Sequence, residues 1–349
     1  MTTGCWSRLI DHSPQLQRSS HCVNVANGQL YIFGGELRPR EPRDNDLFEV
    51  DVSAGKGKYF IDVHQAVLSD LVEDAHSQAA SLTGAGPSPR VGSASTSLNG
   101  RLYLFSGRGG PAMAPIDEHG GMWEYNPQTS TWTLLSTAST SFPPARSYHC
   151  AANDSHGIVY IHAGCPEKGR LSDLWAFHVK DRTWKQLAEA PLPQRGGTSI
   201  AFVNGKLYRM NGFDGKTEQG GNLDVYDPHK DSWSTITYAA DGKSGPSARS
   251  VAVLLPVTIN GQDSLVTLFG EADPSSLGHQ GAGKMLGDVW VMNLANSSWT
   301  QVSTTGDVPP PRGWFDADVA TIGGETKIVV VGGLADSNER LGDVWVLEF

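Results

Sequence analysis

The sequence predicts an all-β chain closed into a six-bladed propeller, and three observations carry that expectation. A buried-looking apolar run ending in small residues recurs six times, a second alternating strand follows each run, and one strand missing from the last repeat stands alone at the N-terminus. Internal repetition of this kind marks propellers and arrays, in which a long chain is built from one repeated unit.

The first runs are LYIFGG (30–35), LYLFSG (102–107), VYIHAG (159–164), LYRMNG (207–212), VTLFGE (266–271) and IVVVGG (328–333). Their β-branched and aromatic content reads as buried strand, and the closing small-residue doublet reads as a tight turn or a close backbone approach. The second strands are DLFEVDV, MWEYNP, DLWAFHV, NLDVYDP, DVWVMNL and DVWVLEF, whose alternation marks half-buried elements. Outer strands follow around Trp132, Trp184, Trp233 and Trp299. The sixth repeat ends at Phe349 before its tryptophan strand, whereas CWSRLI with Trp6 has no repeat of its own. Joining the two ends completes a blade and removes two exposed sheet edges. One domain over 1–349 is therefore expected, with residues 53–86 an irregular insertion in the first repeat. Within it Val67, Leu68, Leu71 and Val72 have helix-like spacing, and Tyr59 and Phe60 are candidates to replace the missing tryptophan.

Composition narrows the function. A net charge of −10 disfavours a broad grip on nucleic acid or an anionic membrane surface. No run of 18 apolar residues and no signal-peptide pattern occurs, so a cytoplasmic protein is expected. Cys5, Cys22, Cys150 and Cys165 lack metal-finger spacing and are expected to be reduced thiols. Walker, GxSxG and HExxH signatures are absent.

An arginine precedes the first strand of every repeat: Arg18, Arg90, Arg146, Arg195, Arg249 and Arg312. Equivalent positions in a closed propeller form a ring, so six guanidinium groups are expected around one mouth of the channel. They have two readings: a binding ring for a small sulfate, phosphate or carboxylate anion, or an internal framework in which each bonds carbonyls and acidic loops.

The repeats are of the Kelch type, and the chain resembles the plant specifier proteins, the epithiospecifier, nitrile-specifier and thiocyanate-forming proteins. The likeness rests on RSSH and YIFGGEL, RGG in the fourth repeat, FGEADPSSLGHQGAG in the fifth, and PRGW with GGLADSNERLGDVW in the sixth. The resemblance implies an iron(II)-dependent lyase acting on an unstable thiohydroximate sulfate released from glucosinolates and steering it toward nitriles or related products. It implies a metal motif ExxxDxxxH, matched here by Glu271 and His279 with Ser275 at the middle position, and with Asp273 as a displaced carboxylate. A neutral serine hydroxyl is a poor substitute for a carboxylate on a divalent cation. By the same resemblance Arg108 would hold the sulfate while Tyr148 and Trp314 wall the pocket; ordinary packing is the other reading of the two aromatics. Many Kelch propellers bind proteins instead, so an acidic peptide of a partner protein is the alternative ligand.

Overall fold

The computed structural model describes residues 2–52, 61–64 and 86–349, and of His279 the backbone alone. Six sheets are arranged around a central channel, one per repeat, each with its first strand innermost. The innermost strands are Cys22–Ala26, Ala94–Leu98, Cys150–Asn153, Ser199–Val203, Val253–Ile259 and Asp316–Ile322. Each neighbours the next, and the last neighbours the first, so the ring is closed. Residues 93–97 of the second repeat, Ser-Ala-Ser-Thr-Ser, show what the centre selects: small and polar side chains where six strands converge on a channel of about 300 Å³.

The apolar runs form the next strand outward, lying between two neighbours in their own sheet and buried on both faces, as in Gln29–Phe33 and Ile158–His162. Fully burying each Val, Leu, Ile or Phe side chain contributes roughly 1.5–3 kcal/mol. Among the described residues the apolar core divides into six clusters, and each straddles one seam between neighbouring blades. Every blade thus supplies one face to each of two cores, which is why repetition yields a ring and not a string of separate domains.

The expected closure is present. Thr3–Ile10 pairs antiparallel with Arg340–Glu348, with Trp6 opposite Leu347. Trp6 is buried in the seam between blades 5 and 6, stacked on Phe269 with ring centroids 5.6 Å apart. Ser303–Gly306 adds a parallel strand outside Thr3–Ile10, which the repeat pattern did not suggest. Blade 1 has an outer strand without tryptophan, Ile61–His64, pairing with Leu47–Asp51. The helix-like residues Val67, Leu68, Leu71 and Val72, and Tyr59 and Phe60, lie outside the described residues. Among the described residues no helix is long and apolar enough to cross a membrane.

Two backbone rings tie the blades together. The second residue after each repeat arginine is Ser20, Gly92, Tyr148, Gly197, Val251 or Trp314, and all six have positive φ. Each donates its N–H to the carbonyl of the preceding member, and Ser20 closes the circle by donating to Trp314 at 2.7 Å. In the other ring the last small residue of each run donates to the carbonyl of the next blade's arginine: Gly35 to Arg90, Gly107 to Arg146, Gly164 to Arg195, Gly212 to Arg249, Gly270 to Arg312 and Gly333 to Arg18. The fifth repeat shifts by one against the sequence reading, because its turn is Phe269–Gly270 and Glu271 already lies beyond it.

Candidate functional site

The six repeat arginines do not form a free cationic ring. Their side chains are buried, at 0–3% exposure, and donate inward to their own blades. Arg146 is representative: Nη1 and Nη2 grip Asp173 at 2.7 and 2.8 Å, Nη1 also reaches Ala163 O, and Nε reaches Pro144 O. Arg18, Arg90, Arg249 and Arg312 pair in the same way with Asp44, Glu118, Asp288 and Asp343. In four blades the carboxylate also accepts from a tryptophan, Trp123, Trp175, Trp290 or Trp345. Burial would leave an unpaired guanidinium at heavy cost, and each of these five is matched by a bidentate carboxylate. Arg195 differs: it donates to Pro193 O and Asn211 O, and has no carboxylate within ion-pair distance among the described residues. In that blade Arg209 takes Asp224 at 2.8 Å instead.

The mouth is formed by the residue directly after each turn: Glu36, Arg108, Cys165, Phe213, Glu271 and Leu334. Each bridges the backbone of the residue after the repeat arginine: Ser19, Val91, Ser147, Gly196, Ser250 and Gly313. Arg108 and Glu271 are therefore equivalent positions in different blades, as are Tyr148 and Trp314. From three of the post-turn positions short ribbons rise, among them Glu271–Ala272 paired with Lys284–Met285. Aligning the six repeats on their turns would have found Cys165 and Phe213 in sequence.

A cavity of about 190 Å³ opens at this mouth. Tyr148, Trp314, Arg170, Phe213, Glu218 and Glu271 line it, with Cys165, Ser250, Pro274, Ser275 and Gly278 completing the wall. Tyr148 and Trp314 meet edge to face with centroids 5.4 Å apart. Gly92 makes room for this, since a Cβ there would lie 2.8 Å from the Tyr148 ring. Trp314 Nε1 donates to Glu271 Oε2 at 3.2 Å, and Gly283 N donates to Oε1 at 2.6 Å. Burial nevertheless raises the Glu271 carboxyl above its usual range.

Arg170 supplies the cavity's positive charge. Its guanidinium lies over Phe213, 5.0 Å from the ring centroid, and its buried Nε has no hydrogen-bond partner among the described residues. Arg108, by contrast, is engaged by protein oxygens: Nε by Ser147 Oγ, Nη1 by Met113 O and Nη2 by Pro166 O. It stands beside the cavity, close enough to act on Tyr148 and Cys165 by charge alone. Arg170 and Glu218 belong to non-repeating loops, so periodicity could not single them out.

Among the described residues no three of His, Cys, Asp and Glu converge on one point. Ser275 Oγ accepts from Leu277 N, and Asp273 is exposed. The His279 side chain lies outside the described residues.

Comparison with known proteins follows the same lines. The KLHDC2/KLHL20/DRC7 Kelch-repeats domain model matches residues 20–270, more than half of the chain. The chain belongs to the Kelch-repeat family. Across 98% of its length it is 25% identical to the N-(sulfonatooxy)prop-2-enimidothioate sulfolyase of Thlaspi arvense, covering 96% of that protein. It is also 22% identical to human Kelch domain-containing protein 1, over 92% of this chain and 76% of that one. The solved structure of YjhT superimposes with a TM-score of 0.68 at 15% identity, covering 96% of each chain, a likeness of fold. This Kelch protein is thus similar along its whole length to a specifier-type sulfolyase.

Proposed function

We propose that this Kelch propeller is a specifier-like lyase whose mouth cavity holds a small anionic sulfate ester of an imidothioate. The observation that carries the reading is the convergence of Tyr148, Trp314 and Glu271, expected from the specifier resemblance, on one cavity with Arg170, whose Nε has no hydrogen-bond partner among the described residues. The relative that aligns over 98% of the chain at 25% identity acts, by its name, on N-(sulfonatooxy)prop-2-enimidothioate.

In this reading Arg170 takes the sulfate end by charge-assisted hydrogen bonds, in the role the resemblance gave to Arg108. Sulfate leaves with the N–O bonding pair as the C–S bonding pair moves into the C–N bond to complete a nitrile and sulfur departs at the elemental level, and a guanidinium beside the sulfate stabilises the charge that develops. Tyr148 and Trp314 enclose the apolar remainder and exclude water, which strengthens the ion pair. No step is assigned to a metal.

The test is to generate N-(sulfonatooxy)prop-2-enimidothioate in situ from its thioglucoside and resolve the products by gas chromatography. The protein should shift the product distribution, and Arg170→Ala should abolish the shift while leaving the melting temperature unchanged. A distribution identical with and without protein rejects the reading. The alternative, recognition of an acidic peptide, draws on the likeness to Kelch domain-containing protein 1. It predicts a peptide affinity lost in Arg170→Ala without any effect on the reaction products.

A further inference from the structure

Glu218 faces the same cavity and has no part in the reading above. It comes from the loop after the fourth turn, where Phe213 bridges Glu218, and lines the cavity together with Arg170. Among the described residues neither carboxyl oxygen has a well-aligned hydrogen-bond partner, although both are shielded from solvent. The Ser250 hydroxyl lies beside it without that alignment.

An ionised carboxylate in such a place would be desolvated, unpaired and close to a second carboxyl. The charged and titratable groups facing it are Glu271, Asp214 and Arg170, with Cys165 and Tyr148 on the same cavity wall. Burial pushes the Glu218 carboxyl up to about 8; Glu271 and Asp214 add to the rise, whereas Ser250 and Arg170 oppose it. At neutral pH the group is therefore an O–H donor. A buried, neutral carboxylic acid is a strong donor to an anion, since the bond is charge-assisted and takes place away from water.

We propose that Glu218 is the second ligand-binding group of the cavity, holding an oxyanion jointly with Arg170, which lines the same wall. The proposal rests on the cavity being an anion site and adds the group that makes its occupancy depend on pH. While Glu218 keeps its proton, Arg170 meets the incoming anion beside a hydrogen-bond donor. Loss of that proton turns the donor into a second negative charge and expels the anion. Burial raises Tyr148 and Cys165 above their ordinary values, so neither supplies a charge change near pH 8.

The experiment is calorimetric titration of the full chain with methyl sulfate from pH 6.5 to 9.5 at constant ionic strength. Affinity should be flat at low pH and then fall about tenfold per pH unit above the Glu218 transition, as expected when one proton must be retained for binding. Glu218→Gln, which keeps a neutral donor, should bind within about threefold of wild type at pH 7 and lose the alkaline decline. Glu218→Ala should lose about tenfold at pH 7, a typical worth for one hydrogen bond to a charged group. A decline unchanged in Glu218→Gln overturns the proposal while leaving the anion site intact, and assigns the titration to Glu271. Binding that ignores Arg170→Ala, or no binding by any variant, overturns the anion site and this proposal with it.

Discussion

Trp314 Nε1 donates to Glu271 Oε2 at 3.2 Å across the seam between blades 6 and 5, joining the aromatic wall of the cavity to its carboxylate. Both residues are placed by backbone rings, Trp314 two positions after a repeat arginine and Glu271 one position after a turn. The propeller repeats the scaffold six times and varies only the side chain it presents. Trp314→Phe keeps the wall and removes the N–H. The expected cost is about 1.5–3 kcal/mol of folding stability if Glu271 is ionised, and less if it is neutral. Urea denaturation at pH 5 and pH 8 separates the two, since the cost should grow as Glu271 loses its proton. An equal cost at both pH values would show that Glu271 does not change charge in that interval.

The arginine framework makes a contrasting prediction. Arg146→Ala removes one half of a buried bidentate pair and strands Asp173, so a loss of roughly 3–5 kcal/mol is expected. Arg195→Ala, in the blade without such a carboxylate, gives up two hydrogen bonds to carbonyls and should cost less, about 1–3 kcal/mol. Chemical denaturation of the two variants measures the difference. Methyl sulfate affinity of the folded protein should be unchanged in Arg146→Ala; a selective loss of anion affinity with normal stability would restore the binding-ring reading.

Much of this was legible in the sequence because the features that build a propeller repeat. Six apolar runs, their small-residue turns and the orphan Trp6 strand each had five counterparts or a vacancy to explain. The arginines were legible too, but their direction was not: a ring position says that a residue is equivalent in every blade, not whether it faces the mouth or its own blade. Asp44, Glu118, Asp173, Asp288 and Asp343 decide it, and Glu118 and Asp44 are offset from the aspartates of the other blades. The cavity was half legible. Tyr148, Trp314 and Glu271 came from resemblance, whereas Arg170 and Glu218 sit in loops whose courses no period determines.

The departure at Ser275 is open to a gain-of-function test. Glu271 alone of the described motif residues offers a carboxylate to the cavity, so the wild type should take up little iron(II). Ser275→Asp restores a second charged donor at the spacing the specifier motif uses, and oxygen ligands of this kind favour hard divalent cations. Anaerobic equilibrium dialysis should show at least a tenfold gain in iron(II) affinity over wild type, reversed by Glu271→Ala. Tight, stoichiometric iron in the wild type would instead mean that other groups complete the site.

The seam between the last and first repeats carries a pH dependence of its own. Asp316 and Asp318, on the innermost strand of blade 6, accept from Val23 N and Val25 N of blade 1 at 2.7 Å each. Their burial beside the channel pushes the carboxyls up, Asp316 to about 7 and Asp318 to about 6. Unfolded aspartate titrates near about 3.9, so the folded state binds more protons than the unfolded state across the interval between. Stability from this source is therefore fully present below about pH 4 and is lost as pH rises through 6 to 7. Asp316→Asn keeps an acceptor for Val23 N and cannot ionise. Relative to wild type it should gain stability between pH 5 and pH 8, on the order of 1–2 kcal/mol once screening by channel solvent is allowed for. Urea midpoints of the two proteins at pH 5, 6, 7 and 8 provide the check. A difference that stays constant over that range would mean that the Asp316 carboxyl is ionised throughout, with the Val23 and Ala317 N–H groups holding its charge against burial.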